Sequence, residues 1–367
     1  MASANCIVLD GAAVPFEDGE TILEVADRVG VQIPTLCNDS RLDPVGACRT
    51  CLVEVEGQRR LIPACTTKAT AGMVVASANP RVERHQKALF ALYLADNISD
   101  EQTSHHESDL HRMAFEIGAP NDWPRMESLR DQRSADRNPY IEFRADRCIL
   151  CARCTRYCEE VEGVSAITLA ERGVYTTIAT SDDISLMDSS CEMCGGCIDV
   201  CPTGAMVEKM PLQEMTLAQA LKPQKQLEKV RTTCNYCGVG CQMELEVDRE
   251  ANNGAGKVVK ISSPPTGTLP NDGNLCVKGR FAYNFIEHED RLTVPLVRGE
   301  DGELHEATWD EALTAAARGL MGVAERHGAD ALGFVSSSRC TGEENYLVQK
   351  LARAVFGTNN VHQCAAT

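Results

Sequence analysis

The sequence predicts a multidomain α+β chain, with small modules first and the start of a larger α/β domain last, and three observations predict it. The 367 residues exceed what one compact core usually organises, so two to four domains are expected. Nineteen cysteines gather in short stretches with little apolar periodicity between them, as in modules too small to be held by a core alone. After about residue 305 the pattern changes to helical stripes alternating with an apolar strand, as in α/β folds.

The chain opens on a hairpin. From Cys6 to Phe16 apolar and polar residues alternate around Asp10-Gly11, a dipeptide suited to the positive φ angles of a tight turn. Thr21-Ile-Leu-Glu24 has the capping-box pattern and predicts a short helix over 22–29, stopped by Gly30. Leu52, Val53 and Val55 before Gly57, then Leu61 and Ile62, predict further short strands. Residues 1–79 therefore form a small mixed sheet with one helix, a β-grasp-like module. Over 81–95, Val82, Leu89, Leu92 and Tyr93 recur near one face at helical spacing. They open a helical linker, 80–138, that is polar, bears histidines and contains no cysteine. Residues 139–210 are turn-rich and cysteine-dense, and metal must hold that module together. A solvated, helical-looking connector at 211–228 repeats Gln and Lys around Pro223 and leads to a further cysteine module at 229–290. In 291–367, Thr308-Trp-Asp-Glu311 is a second capping box. Behind it Ala312, Leu313, Ala316, Ala317, Leu320 and Val323 form an apolar stripe. A buried strand is predicted at 331–335, and a helix at 343–356 carries Leu347, Leu351, Ala354 and Val355 up to Gly357. This last domain breaks off incomplete.

The balance of 36 basic against 53 acidic residues excludes the basic footprint of a nucleic-acid binder. No stretch reaches the ~18 apolar residues that span a bilayer. The start MASANCIVLDG has neither a basic n-region, an apolar h-region nor twin arginines. A cytoplasmic location is expected, where disulfides are rare and cysteine-rich patterns are read as metal or redox sites.

Sixteen cysteines fall into four sets. Cys148-x2-Cys151-x2-Cys154-x3-Cys158 and Cys191-x2-Cys194-x2-Cys197-x3-Cys201-Pro202 are two copies of the bacterial ferredoxin run. Three thiolates at two-residue gaps wrap one cubane, and the three-residue gap sends the fourth to the other cluster. One [4Fe–4S] set is then Cys148, Cys151, Cys154 and Cys201, and the other is Cys158, Cys191, Cys194 and Cys197. Gly195, Gly196, Thr203 and Gly204 leave backbone N–H groups room to reach sulfur. Cys37-x10-Cys48-x2-Cys51-x13-Cys65 departs from the plant-type spacing but keeps a C-x2-C between two distant thiols, which favours [2Fe–2S]. Gly46 and Ala47 leave room there for backbone donors. The fourth set is Cys234-x2-Cys237-x3-Cys241 with Cys276, followed by Val277, Lys278, Gly279 and Arg280. Tetrahedral zinc is the alternative occupant of any of these sets.

The fourth set resembles the N-terminal cluster domain of molybdopterin oxidoreductases that carry two pterin guanine dinucleotides on molybdenum or tungsten. The resemblance implies a third [4Fe–4S] cluster on Cys234, Cys237, Cys241 and Cys276, and a Lys278 standing between that cluster and a pterin. A solvated surface lysine is the plain alternative. The module order, with Asp290-Arg-Leu292, Ser338-Arg-Cys340-Thr, Glu343-Glu-Asn-Tyr346 and Asn359-Asn-Val361, resembles the α subunit of NAD-linked cytoplasmic formate dehydrogenases. That likeness implies formate and carbon dioxide as substrates, a flavin and iron–sulfur partner that reduces NAD, and no membrane span. The alternatives are a stand-alone iron–sulfur electron-transfer subunit and a large peripheral subunit like that of complex I.

Two departures qualify the resemblance. Relatives place a His-x3-Cys-x2-Cys-x5-Cys site after the first linker helix. Here 97–113 holds Glu101, Ser104 and Ser108 near the thiolate positions, with His105, His106 and His111 nearby, so that cluster is expected to be absent. The chain also ends Asn359-Asn-Val-His-Gln-Cys364-Ala-Ala-Thr367. Cys364 matches the cysteine before the family's metal ligand, and Ala366 replaces the family's arginine. No catalytic residue is therefore expected within the chain, the metal-ligating Cys or Sec being expected beyond Thr367. Cys6 and Cys340, beside predicted strands, are read as small buried hydrophobes.

Overall fold

A computed structural model of the chain describes residues 5–97, 108–124, 136–209 and 227–364. They form two compact units, one of Met1–Leu227 with Asn274–Val277 and one of Glu228–Gly273 with Lys278–Thr367.

In the first unit β1 (Cys6–Leu9) and β2 (Ala12–Pro15) form the expected hairpin, with Leu9 opposite Ala12. Asp10 and Gly11 turn it at φ of 49° and 83°, angles that match the twist of the flanking strands. At α1 (Ile22–Arg28) the Thr21 hydroxyl accepts from the Glu24 N–H, and the Glu24 carboxylate accepts from the Thr21 N–H. The helix buries Ile22, Leu23, Val25 and Ala26 against Ile7, Leu9, Val53 and Val75, each large side chain contributing about 1.5–3 kcal/mol. β3 (Leu52–Val55) and β4 (Ile62–Pro63) match the expected strands, except that Leu61 lies outside β4. β5 (Val74–Ala76) escapes the sequence reading because three residues are too few to show alternation. It is nonetheless central: the sheet order is β2-β1-β5-β3-β4, with β5 parallel to β1 and antiparallel to β3.

The linker opens with α2 (Pro80–Asp96), started by the Asn79 side chain and by Pro80 in the first turn. Its buried face differs from the expected stripe. Val82, Gln86, Phe90, Ala91 and Ala95 are buried, whereas Leu92 is 52% exposed. Buried Gln86 fills a position that polarity assigns to solvent, and that displaces the sequence reading around the helix. A second helix, α3 (Asp109–Glu116), is capped by Ser108 and buries Leu110 and Ala114. It goes unread in the sequence because eight residues make too short a stripe to show helical spacing. Glu101, Ser104, His105 and His106 lie outside the described residues.

The cysteine-dense segment contains β6 (Ile141–Phe143), the short helix α4 (Arg153–Arg156), the hairpin of β7 (Thr168–Ala170) with β8 (Thr177–Ala179), α5 (Gly196–Asp199) and β9 (Met206–Glu208). β9 pairs antiparallel with β6, Phe143 opposite Met206. The two ends of the segment are thereby tied together. Most of the expected connector at 211–228 lies outside the described residues, and Glu228 already belongs to a strand.

In the second unit β10 (Glu228–Thr233), β11 (Gln242–Asp248) and β12 (Lys257–Ser262) form an antiparallel sheet. α6 (Val277–Phe281) begins in the first unit and continues into the second. β13 (Leu296–Arg298) and β14 (Leu304–Glu306) pair as a hairpin. The capping box at Thr308 and Glu311 starts α7 (Trp309–His327). None of the helix is buried and Leu313 is 60% exposed, so the apolar stripe there shows what the helix could bury and not what is laid over it. The strand expected at 331–335 is instead β15 (Phe334–Ser337), preceded by a 3₁₀ turn, and its Val335 is 71% exposed. α8 (Gly342–Lys350) starts on a third capping box, at Thr341 and Glu344, and runs on as a wider turn to Phe356. Gly357, at φ 74°, ends it as expected. β16 (Val361–Cys364) lies parallel to β15 with Ser337 opposite Cys364, which makes β15-α8-β16 an α/β unit. Ala366 and Thr367 lie outside the described residues. Cys6 and Cys340 are only half-buried, short of the expectation for core residues.

Candidate metal centres

The first set is fully sequestered: Cys37, Cys48, Cys51 and Cys65 are each at most 2% exposed. They form two pairs. The Cys48 N–H donates to Cys37 Sγ at 3.4 Å, and the Cys51 thiol donates to Cys65 Sγ at 3.4 Å. Hydrogen bonding between the thiols of the first pair pushes Cys37 up and pulls Cys48 down to about 5, helped by the Thr50 hydroxyl at 3.1 Å. The second pair repeats this, with Cys51 pushed up and Cys65 pulled down by their mutual hydrogen bond. Two separate cores hold the pairs. Cys51 and Cys65 pack in the sheet's own core, while Cys37 and Cys48 pack with Leu36, Phe90, Leu110 and Ile149.

That second core reaches the next set, because Cys151 packs against it. The two ferredoxin-type runs share a backbone form that spacing alone does not dictate. Leu150 and Ala152 flank Cys151 at φ 56° and 60°, and Met193 and Gly195 flank Cys194 at φ 53° and 72°. Ala152 holds a left-handed angle that costs a non-glycine residue roughly 1–2 kcal/mol. The reason is local: these turns aim N–H groups at sulfur. Leu150 N–H donates to Cys148 Sγ, Met193 N–H to Cys191 Sγ and Gly196 N–H to Cys194 Sγ, each at 3.4 Å. Cys158 Sγ accepts from Ala166 at 3.1 Å, and Cys201 Sγ accepts from Ala205 at 3.2 Å. The β6–β9 pairing brings Cys201 back toward the first run. Burial pushes Cys151 up to about 12, with Cys201 and Cys148 as the thiol neighbours that add to it. Cys154 is pushed up by burial and then by Cys201 before any other thiol. For Cys191, also raised by burial, Cys158 is the thiol neighbour.

In the second unit the 234–241 loop joins β10 to β11, and the Cys234 N–H donates to the Cys241 carbonyl at 2.7 Å. Cys234 is buried, and Cys237 and Cys241 are half-buried. Cys276 belongs to the segment Asn274–Val277 of the first unit and is exposed, as is Lys278 on α6.

The donors of the first set and of the two ferredoxin-type runs suit iron–sulfur groups. Soft thiolate donors suit such groups, and burial that opposes ionised thiols is offset once cationic iron lies among them. Backbone N–H donors to sulfur are the usual companions of clusters. The same thiolate sets suit tetrahedral zinc, and iron and sulfide analysis distinguishes the two occupants.

Several residues around these sets leave no mark in the sequence. Asp39 bridges Arg41 and Arg153 at 2.9 Å each, joining the sheet module to α4. Arg156 donates to the Cys37 and Asp43 carbonyls, both at 2.5 Å. Buried Asn97 donates to the Arg147 carbonyl at 2.7 Å, and Ser108 Oγ lies 2.8 Å from His111 Nδ1. Buried Tyr157 bonds Asn274 at 2.6 Å through its hydroxyl. The only available signal is that Arg153, Arg156 and Tyr157 sit inside a cysteine run, where solvent-facing side chains are otherwise the simplest assumption.

Four family profiles match in succession. They are a 2Fe-2S iron–sulfur cluster binding domain over 6–80, the ferredoxin-like domain of NADH-quinone oxidoreductase subunit 3 over 138–207, a molybdopterin oxidoreductase Fe4S4 domain over 227–288 and molybdopterin oxidoreductase over 291–367. The alpha subunit of a Geobacter sulfurreducens NADPH-Fe(3+) oxidoreductase is 33% identical over 97% of this chain and 40% of its own length. An NADH-quinone oxidoreductase subunit of Rhizobium meliloti is 36% identical over 97% of the chain and 39% of its own length. A Staphylococcus aureus protein provisionally named as a formate dehydrogenase is 31% identical over 98% and 39%. The chain thus spans about two fifths of the length of these relatives. Among solved structures, a chain of an NAD+-reducing [NiFe]-hydrogenase superposes with a TM-score of 0.50 at 27% identity, covering 57% of this chain and 88% of that one. Among the described residues no helix is long and apolar enough to cross a membrane.

Proposed function

We propose that this chain, which belongs to the molybdopterin oxidoreductases with 2Fe-2S and 4Fe-4S domains, is the electron-relay portion of a formate dehydrogenase alpha subunit. On this reading Cys37, Cys48, Cys51 and Cys65 hold a [2Fe–2S] group. Cys148, Cys151, Cys154 and Cys201 hold one [4Fe–4S] group, and Cys158, Cys191, Cys194 and Cys197 hold a second. Cys234, Cys237, Cys241 and Cys276 hold a third, with Lys278 on the pterin side of it. Electrons travel between a molybdenum or tungsten bis-pterin centre and a flavin-bearing partner that reduces NAD.

The observation that carries the relay reading is the shared apolar core in which the Cys37/Cys48 pair meets Cys151. Two donor sets built on different modules share that apolar core. Iron–sulfur groups supply one-electron transfer when bound. The chain contributes the rest: it fixes spacing, excludes water, and directs N–H groups at the ligand sulfurs. Formate as the substrate rests on the sequence resemblance of the C-terminal third and on the provisional name of the Staphylococcus aureus relative. A second reading, a subunit linking a nicotinamide to a quinone or ferric acceptor, is favoured by the names of the Geobacter and Rhizobium relatives.

Iron and acid-labile sulfide analysis tests the relay. About 14 iron atoms per chain are expected, two for the [2Fe–2S] group and four for each of three cubanes. Cys48→Ala should remove about two of them and leave the cubane spectra unchanged. A value near zero with bound zinc overturns the relay. Purified with its partners, the protein should reduce NAD with formate; reduction of quinone or ferric iron by a nicotinamide, with none by formate, selects the second reading.

A further inference from the structure

We infer that Arg156 is a positioning residue for the first cysteine set, its buried charge setting how readily an electron is accepted there. The inference rests on the [2Fe–2S] assignment proposed above. Arg156 lies on α4 between Cys154 and Cys158, so its backbone belongs to a ferredoxin-type run. Its side chain crosses to the other module. It is 8% exposed, and its guanidinium donates to the carbonyl of Cys37 itself and to that of Asp43.

The surrounding charges make this arginine unlike its neighbours. Arg41 and Arg153 both pair with the Asp39 carboxylate at 2.9 Å, so much of their charge is offset. Among the described residues the hydrogen-bond acceptors of Arg156 are two neutral carbonyls. Glu160, four residues on, accepts instead from the Asp43 N–H at 2.7 Å. Cys37 meanwhile packs among Leu36, Phe90, Leu110 and Ile149, where little water screens a nearby charge. A fixed cation at the edge of such a core favours the state that carries one more negative charge. Uptake of one electron from the adjacent [4Fe–4S] site adds that charge, with no bond made or broken. Arg156 therefore raises the electron affinity of the first set and biases the relay toward it.

The test is a redox titration, followed by electron paramagnetic resonance, of the cluster-loaded protein as the unaltered chain, Arg156→Gln and Arg156→Lys. Arg156→Gln should lower the [2Fe–2S] midpoint by about 59 mV or more, a tenfold change in the reduced-to-oxidised ratio at fixed potential for one electron. Arg156→Lys keeps the charge and should move the midpoint less than half as far. A glutamine variant whose ratio stays within twofold of the unaltered protein overturns the inference. So does loss of the [2Fe–2S] signal from either variant, which would make Arg156 a structural clamp. Absence of that signal from the unaltered protein overturns the cluster assignment itself, so the two failures are distinguishable.

Discussion

Replacing Gly196 by alanine should be among the most damaging single-methyl changes in the chain. Gly196 opens α5 between Cys194 and Cys197, and a Cβ there would lie 1.9 Å from Cε1 of Tyr157, 2.5 Å from Cζ and 2.7 Å from Cδ1. The ring cannot swing away easily: Tyr157 is 1% exposed and its hydroxyl is tied to Asn274. Overpacking of this kind costs about 1–3 kcal/mol, and so close an approach to a rigid ring belongs at the upper end. Alanine returns at most about 1 kcal/mol through helix propensity, leaving a net loss of about 2 kcal/mol. For a module of 60–100 residues that lowers the unfolding temperature by roughly 8–16 °C. The assay is a double-mutant cycle with Tyr157→Leu, unfolding being followed by bleaching of the iron–sulfur absorbance. Without the ring, Gly196→Ala should be neutral to about 1 kcal/mol stabilising, giving a coupling of about 2–3 kcal/mol. An equal loss in both backgrounds, or none in the presence of Tyr157, refutes the steric argument.

Two further outcomes follow from the junction between the sheet module and the ferredoxin-type module. Burial works against the Asp39 carboxylate, but hydrogen bonds from Arg41 and the charges of Arg41 and Arg153 outweigh it and hold its pKa well below the usual range. Asp39→Asn removes the carboxylate shared by two half-buried guanidinium groups and should cost about 2 kcal/mol at neutral pH. A depressed carboxylate contributes stability above its unfolded pKa and loses it as pH falls toward the folded value. The gap between variant and parent in urea unfolding should therefore narrow below about pH 4, and a gap that stays constant down to about pH 3 contradicts this. Leu110 is fully buried in the core that also holds Cys37 and Cys48. Leu110→Ala should cost about 2–5 kcal/mol and should bleach the [2Fe–2S] resonance at a lower temperature than in the unaltered chain; an unchanged bleaching temperature would separate Leu110 from that site.

Much of the local structure was legible because its causes are local. The Asp10-Gly11 turn, the capping boxes at Thr21 and Thr308 and the stop at Gly357 each depend on residues within a few positions of one another. The capping box at Thr341 has the same cause and the same pattern, and could have been read. β5 could not. Its three residues form a strand because β1 and β3 lie on either side, and that pairing is non-local. Gln86 and Leu92 mislead for a related reason: which face of α2 is buried depends on what packs against it, here the core around Phe90 and Leu110. The stripe on α7 is the converse case, apolar in sequence yet unburied.

The cysteines divide along the same line. Spacing by itself determined which thiols form runs, because a loop of two or three residues restricts where a side chain can reach. The profile matches agree at the level of 2Fe-2S and 4Fe-4S domains. Tertiary structure alone decided that Cys37 pairs with Cys48 and Cys51 with Cys65, that the first pair shares a core with Cys151, and that Arg156 reaches from one run to the carbonyl of another set's cysteine. The physical reason is distance along the chain. More than a hundred residues separate Cys37 from Arg156, and a contact across such a span is set by how two modules pack, not by the order of residues in either.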